Sequence, residues 1–322
     1  MKKVKHLKQN AVILKMENVI EVKNLSHAYG KKKLYDNLNF SVKKGQIVGL
    51  LGKNGVGKTS LINILMGFLK PLGGECLIFG ENSSSLSENT RKRIGLLHEG
   101  HQTFEFMTIE QIEKFYAPFY EKWRKDIYYD LMDLLALPKT HKISNMSYGQ
   151  RSQVVLGLIF AQNPDLLVLD DYSMGLDAGY RRLFLDYLHD FVKSEQKTVF
   201  VTSHVVQDLE HLIDEIILLN KGGEILKTNL DDLLSNFKSY TLDFTLPNDL
   251  KTREIERLVK SDVIRNIEVS KNSLRLYSYE NEQEVLKNLQ ASHTVFAQIN
   301  NANINRKKIN LEDAFIGLMG RY

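Results

Sequence analysis

Residues 46–69, QIVGLLGKNGVGKTSLINILMGFL, pass from an apolar β-rich run through a glycine-rich loop into a helical repeat of Leu61, Ile64 and Leu65. The loop Gly52-Lys53-Asn54-Gly55-Val56-Gly57-Lys58-Thr59 is G-x-x-x-x-G-K-[ST] in its required strand–loop–helix setting. Its glycines let the backbone wrap closely round an anion with the N–H groups turned inward. The helix N-terminus behind it adds partial positive charge. Lys58 can reach the β- and γ-phosphates, and the Thr59 hydroxyl can ligate Mg2+. Residues Gly52 to Ser60 therefore predict a nucleoside triphosphate site on an α/β fold with a mostly parallel sheet.

Two further strands end in chemistry. LLVLDDYSMGLD, residues 166–177, reads as a buried strand tipped by Asp170 and Asp171, with Asp177 beyond a loop. Asp170 fits the carboxylate that holds Mg2+ in such ATPases. TVFVTSH, residues 198–204, ends in His204, where a parallel sheet presents its functional side chains.

Composition bounds the rest. The 322 residues suffice for one large domain and a small one, and 43% hydrophobic residues provide a sizeable core. A net charge of +4 is compatible with an anionic membrane surface but too weak to argue for nucleic acid. Cys76 is the sole cysteine, which excludes a disulfide framework and a Cys-based zinc site and fits a reducing cytoplasm. No apolar run approaches the roughly 18–20 residues that cross a bilayer, so a membrane role has to come through a partner chain. Residues 1–16 are basic and read as a flexible extension, with an apolar stretch too short for a signal peptide.

The segment ISNMSYGQRSQ, from residue 143, resembles the signature of ABC transporter nucleotide-binding subunits, a Leu-Ser-Gly-Gly-Gln stretch that opens a helix. Here it is Met146-Ser147-Tyr148-Gly149-Gln150, with Tyr148 in place of the first glycine, tolerable if its backbone keeps the family's conformation. The resemblance spans about residues 17–230 and implies an ABC ATPase core: a RecA-like sheet, an antiparallel β subdomain, and a helical subdomain at about residues 103–162. It implies ATP and Mg2+ as ligands, with Tyr29 stacking on adenine and Glu99 at the glutamine-loop position, as a Mg2+ or water contact. By the same resemblance, Lys58, Asp171, His204 and Glu99 carry catalysis, and Thr59, Asp170 and Glu99 face the metal. Ser147, Tyr148, Gly149, Gln150 and Asp177 then meet the opposite subunit in a head-to-tail dimer, a homodimer or alternatively a heterodimer. The permease would be a separate multi-span protein, which puts this chain at the cytoplasmic face of the membrane, with no nucleic acid partner.

Where Asp171 stands, the family usually has Glu. Asp is shorter by one methylene, roughly 1.5 Å. A displacement of that order in a positioned group costs on the order of 10²-fold in rate. Two functions follow: an exporter ATPase, or a slow, ATP-gated regulatory subunit or weaker half-site.

Residues 102–139 place Ile112, Phe115, Phe119, Leu131, Leu134 and Leu135 at helical spacing, mostly as subdomain core. Among Phe104, Phe106, Phe119, Tyr120 and Trp123, some are expected to face the permease. EIILLNKGGEILKT, residues 215–228, reads as a hairpin turning at Lys221-Gly222-Gly223. Residues 231–322 form an accessory domain whose pattern reads β-α-β-β-α-β, a ferredoxin-like α+β arrangement with its last strand in TVFAQIN, residues 294–300. The closing LEDAFIGLMGRY resembles the last helix of subunits that serve ABC-2 type exporters.

Overall fold

The central sheet forms because its strands are apolar on both faces and only a two-sided core can cover them. In the computed structural model, which describes residues 17–98, 100, 103–173, 175–243, 252–270, 272–297, 299 and 304–320, these strands are β3 (Ile47–Leu51), β6 (Ile94–Leu97), β7 (Leu166–Leu169), β8 (Thr198–Val201), β9 (Glu215–Leu219) and β10 (Ile225–Asn229). Their order is β10-β9-β3-β8-β7-β6, parallel except for β10, which returns antiparallel along β9 after the turn at Lys221–Gly223. Every residue of β3, β7 and β8 is buried. The basic extension, residues 1–16, lies outside the described residues.

A second sheet, β2-β1-β4-β5, is antiparallel and built from β1 (Asn18–Tyr29), β2 (Lys32–Lys43), β4 (Gly73–Ile78) and β5 (Glu81–Asn82). Between the two sheets runs α1 (Lys58–Leu65), whose Leu61, Ile62, Ile64 and Leu65 share one core with Val22, Leu38, Val48 and Cys76. The short α2 (Glu88–Lys92) leads into β6.

The helical portion comprises α3 (Ile109–Tyr116), α4 (Lys125–Asp133) and α5 (Tyr148–Ala161), followed after β7 by α6 (Ala178–Glu195). Ile112, Leu131 and Leu135 enter the main core as their spacing predicts, but Phe115, Phe119 and Leu134 are exposed. The buried face of α3 runs through Ile109, Ile112 and Glu113, and Phe115 lies off it.

Past β8 come α7 (Val206–Leu209) and α8 (Leu230–Asn236), and then a third sheet. It is antiparallel, ordered β12-β13-β11-β14, from β11 (Lys238–Asp243), β12 (Asn266–Val269), β13 (Ser273–Ser278) and β14 (Ile304–Lys307). α9 (Thr252–Val259) and α10 (Glu282–Ser292) connect its strands in the order β-α-β-β-α-β. TVFAQIN is not the last strand: Thr294–Phe296 forms a 3-10 turn, and β14 begins at Ile304. Phe296 and Ile299, three residues apart, both enter the accessory core, which a strand's alternation would have prevented.

The final helix, α11 (Leu311–Met319), binds the two parts together. Leu311, Ala314 and Phe315 belong to the main core beside Leu209, Leu212 and Leu233. The Leu311 N–H donates to Glu210 Oε2 at 2.7 Å, and Asn266 Nδ2 donates to the Ile316 carbonyl at 2.8 Å. At its far end Gly320 meets the tip of the Lys53 side chain, where an added Cβ would stand 3.6 Å from Nζ. No helix among the described residues is long and apolar enough to cross a membrane.

Candidate nucleotide site

The glycine loop joins β3 to α1 and opens onto a cavity of about 330 Å³. That space is lined by Asn54, Gly55, Gly57, Lys58, Thr59 and Ser60 on one side and by Asp170, Asp171, Thr202, Ser203 and His204 on the other. Tyr29 stands at the rim, 53% exposed, with its hydroxyl 3.4 Å from Ser60 Oγ. The loop, both adjacent carboxylates and the histidine thus meet in one place, although they are far apart in sequence.

Gly57 is the N-cap of α1, with φ of 111°, and has no side chain to cap the helix. The helices α3, α5 and α6 begin instead on Thr108, Ser147 and Asp177, whose side chains accept from their own first-turn N–H groups. Arg124 and Val205 likewise leave α4 and α7 without a side-chain cap, but only at α1 do the first residues, Lys58 to Ser60, line the cavity, a setting that suits phosphate. A Cβ at Gly57 would fall 2.5 Å from the Tyr35 hydroxyl, which itself donates to the Gly57 carbonyl and braces the loop from beneath. Burial raises the Tyr35 hydroxyl pKa well above its usual range, so it stays a donor.

Lys58 donates to the Gly52 carbonyl at 2.7 Å, curled back onto the loop it serves. Burial lowers its pKa, while Asp170 and Asp171 pull it back up. An anionic ligand beside it would favour the charged form for the same Coulombic reason.

Asp170 and Asp171 follow β7 directly and are 2% and 7% exposed. Asp170 Oδ1 accepts from Thr202 Oγ1 at 2.9 Å, whereas its Oδ2 is buried with no hydrogen-bond partner. A buried carboxylate oxygen without a partner is costly unless a cation or donor meets it. Thr59 lines the same cavity, and the two residues suit Mg2+, which binds through one or two carboxylates with substrate phosphates and water completing its shell. Glu99, the third expected metal contact, lies outside the described residues.

Asp171 has φ of 48°, a left-handed conformation that Asp tolerates better than most residues. Its N–H donates to Thr202 Oγ1 at 2.8 Å. Its Oδ1 accepts from Ser173 Oγ at 3.2 Å and from the His204 N–H at 3.3 Å. His204 Nε2 lies 3.3 Å from Asp171 Oδ2. Carboxylate and imidazole form a pair at the mouth of the cavity. Thr202 and Tyr35 were not singled out in the sequence. Tyr35 lies inside β2 as one aromatic among many, and the sequence signal for Thr202 is a hydroxyl two positions before His204.

Ser147 to Gln150 and Asp177 do not line this cavity. Ser147 and Gln150 form a capping box at the start of α5, with Gln150 N–H on Ser147 Oγ and Ser147 N–H on Gln150 Oε1. Tyr148 is the first helical residue and has no positive φ, so glycine is not needed there for backbone reasons. Asp177 caps α6 by accepting from the Tyr180 N–H at 3.0 Å.

Comparison with known proteins bears on the family and the fold. The family model described as ABC transporter matches residues 35–173. The bacitracin transport ATP-binding protein of Bacillus licheniformis is 28% identical over 308 residues, 95% of this chain and 98% of that one. An uncharacterised ABC transporter ATP-binding protein of Methanocaldococcus jannaschii is 30% identical over 223 residues, 68% of this chain and 80% of its own length. Among solved structures, a dimeric ATP-binding cassette in a post-hydrolysis state bound to ADP and Pi has a TM-score of 0.57 at 23% identity. It covers 66% of this chain and 98% of that one, a likeness of fold.

Proposed function

The chain belongs to the ABC transporter family as an ATP-binding subunit, and we propose that it hydrolyses ATP to drive a separate export permease. The observation that carries this reading is the cavity in which Lys58, Thr59, the unpartnered Asp170 Oδ2, Asp171 and His204 converge. Thr59 and Asp170 would hold Mg2+, which when bound neutralises charge on the phosphates. Lys58 and the α1 amides bind the phosphates, Tyr29 offers its exposed face to adenine, and Asp171 orients the attacking water beside His204. Two chains closing head to tail would bring Ser147 and Gly149 of each onto the nucleotide of the other. The match to a bacitracin transport ATP-binding protein over nearly the whole length, accessory domain included, supports the transport role.

For the permease, the candidate surface is an aromatic cluster on the helical portion. Phe104 packs against Phe106 and Phe115, and Phe115 against Phe119, yet Phe106 and Phe119 are 72% and 59% exposed. Beside them a groove of about 470 Å³ is lined by Glu88, Arg91, Lys92, Tyr116, Pro118, Phe119 and Tyr120. Trp123 is turned inward instead, with its indole N–H on Glu113 Oε1 at 3.0 Å. Exposed aromatics around a groove favour protein interfaces.

One observation favours a slower variant of the same function, a regulatory subunit or the weaker half of a heterodimer. The Asp171 carboxylate already serves Ser173 and His204, and its short side chain reaches less far toward a water. Asp171→Glu is expected to raise single-turnover hydrolysis by about tenfold to a hundredfold at unchanged ATP affinity. An unchanged or lower rate would sink the geometric argument. Purification from membranes without any multi-span partner would favour the regulatory reading over the exporter.

A further inference from the structure

The start of α5 and the loop before α6 are held together by two aromatic–glycine contacts that run in opposite directions. Tyr148 lies over Gly175 so closely that a Cβ on Gly175 would fall 2.2 Å from its Cε1 and 2.3 Å from its Cδ1. Tyr180 covers Gly149 in return, where a Cβ would fall 3.2 Å from its Cδ2. Gly175 has φ of +70°, so it both turns the loop and leaves room for the ring. Tyr180 is itself anchored, because its N–H is the one that Asp177 caps. Each segment thus supplies one ring and one glycine to the other.

None of these four residues lines the nucleotide cavity of its own chain. Their contacts join two surface segments that, in the dimer proposed above, both face the opposite subunit. We propose that Tyr148 is a positioning residue that fastens the signature turn to the interface loop of its own chain, so that both meet the partner as one rigid body. The inference rests on the dimer reading for its consequence, but the fastening itself is a property of the single chain. With glycine at 148 one of the two contacts disappears, and the loop has to be ordered separately at each association. The contact with Gly175 is made by the ring carbons Cδ1 and Cε1, which phenylalanine also carries, so phenylalanine should substitute for tyrosine.

The test uses the full chain carrying Asp171→Asn, chosen to slow turnover, with Tyr148→Gly or Tyr148→Phe added. Sedimentation with Mg-ATP measures dimerisation, a fluorescent ATP analogue measures nucleotide affinity at high dilution, and hydrogen exchange follows residues 175–178. Tyr148→Gly is expected to weaken ATP-driven dimerisation about tenfold, a typical coupling for packed neighbours. It should leave nucleotide affinity unchanged and speed exchange in the loop. Tyr148→Phe should match its parent in all three. Gly at 148 with loop exchange as slow as the parent's, or with equally tight dimers, overturns the proposal. If the parent fails to dimerise on ATP, the dimer reading is what fails. Exchange alone then decides: faster exchange with glycine upholds the fastening, and unchanged exchange removes it.

Discussion

One hydroxyl ties together the two aspartates at the tip of β7, through the side chain of the first and the backbone of the second. Thr202 Oγ1 donates to Asp170 Oδ1 and accepts from the Asp171 N–H, all three residues being buried. Thr202→Val preserves the shape and leaves a buried acceptor and a buried N–H without partners, a cost of about 1–3 kcal/mol. Denaturant unfolding should register that loss, and turnover should fall more than ATP affinity. Thr202→Ser should restore most of both, and a valine variant as stable as its parent would contradict the role. Asp170, Asp171, His204 and the glycine loop were legible in the sequence because each stands at the end of an apolar run. Thr202 was not, because its value depends on β8 lying next to β7. Strand neighbours in a parallel sheet are set by crossovers that local patterns do not encode.

At the scale of elements, helix starts differ in how they are closed. α3, α5 and α6 close their own N-termini with side chains, and α1, opening on Gly57, does not. Periodicity located α3 and α4 but could not say that Phe115 faces outward, since a short helix can bury either of two overlapping stripes. The same ambiguity hid the turn at Thr294–Phe296, where alternation and helical spacing both fit a short apolar run. Because Phe106 and Phe119 are exposed, replacing both with Ser should barely move the unfolding midpoint or ATP affinity of the isolated chain. ATPase stimulation by the permease in reconstituted membranes should be lost. Full stimulation by the double variant would move the docking surface elsewhere.

For the whole molecule, Cys76 offers a reporter. It lies in β4 within the core that α1 shares with both sheets, and burial pushes its thiol up to about 12. The thiolate is the nucleophile that attacks an alkylating reagent, so the native chain should resist alkylation at neutral pH until that core opens. Mg-ATP, which binds the folded chain, should slow labelling further. Rapid labelling in native buffer, unaffected by nucleotide, would refute this.

The placement of α11 also has a consequence in time. Leu311, Ala314 and Phe315 complete the core around α7, the segment that directly follows His204. Domains form during synthesis in the order in which they emerge. Residues 17–230 therefore leave the ribosome with the histidine segment still missing its packing partner. That partner arrives only once residues 311–319 have been translated. A nascent chain halted before that point would display the phosphate loop while its catalytic apparatus remained unfinished, which separates the birth of nucleotide binding from that of turnover.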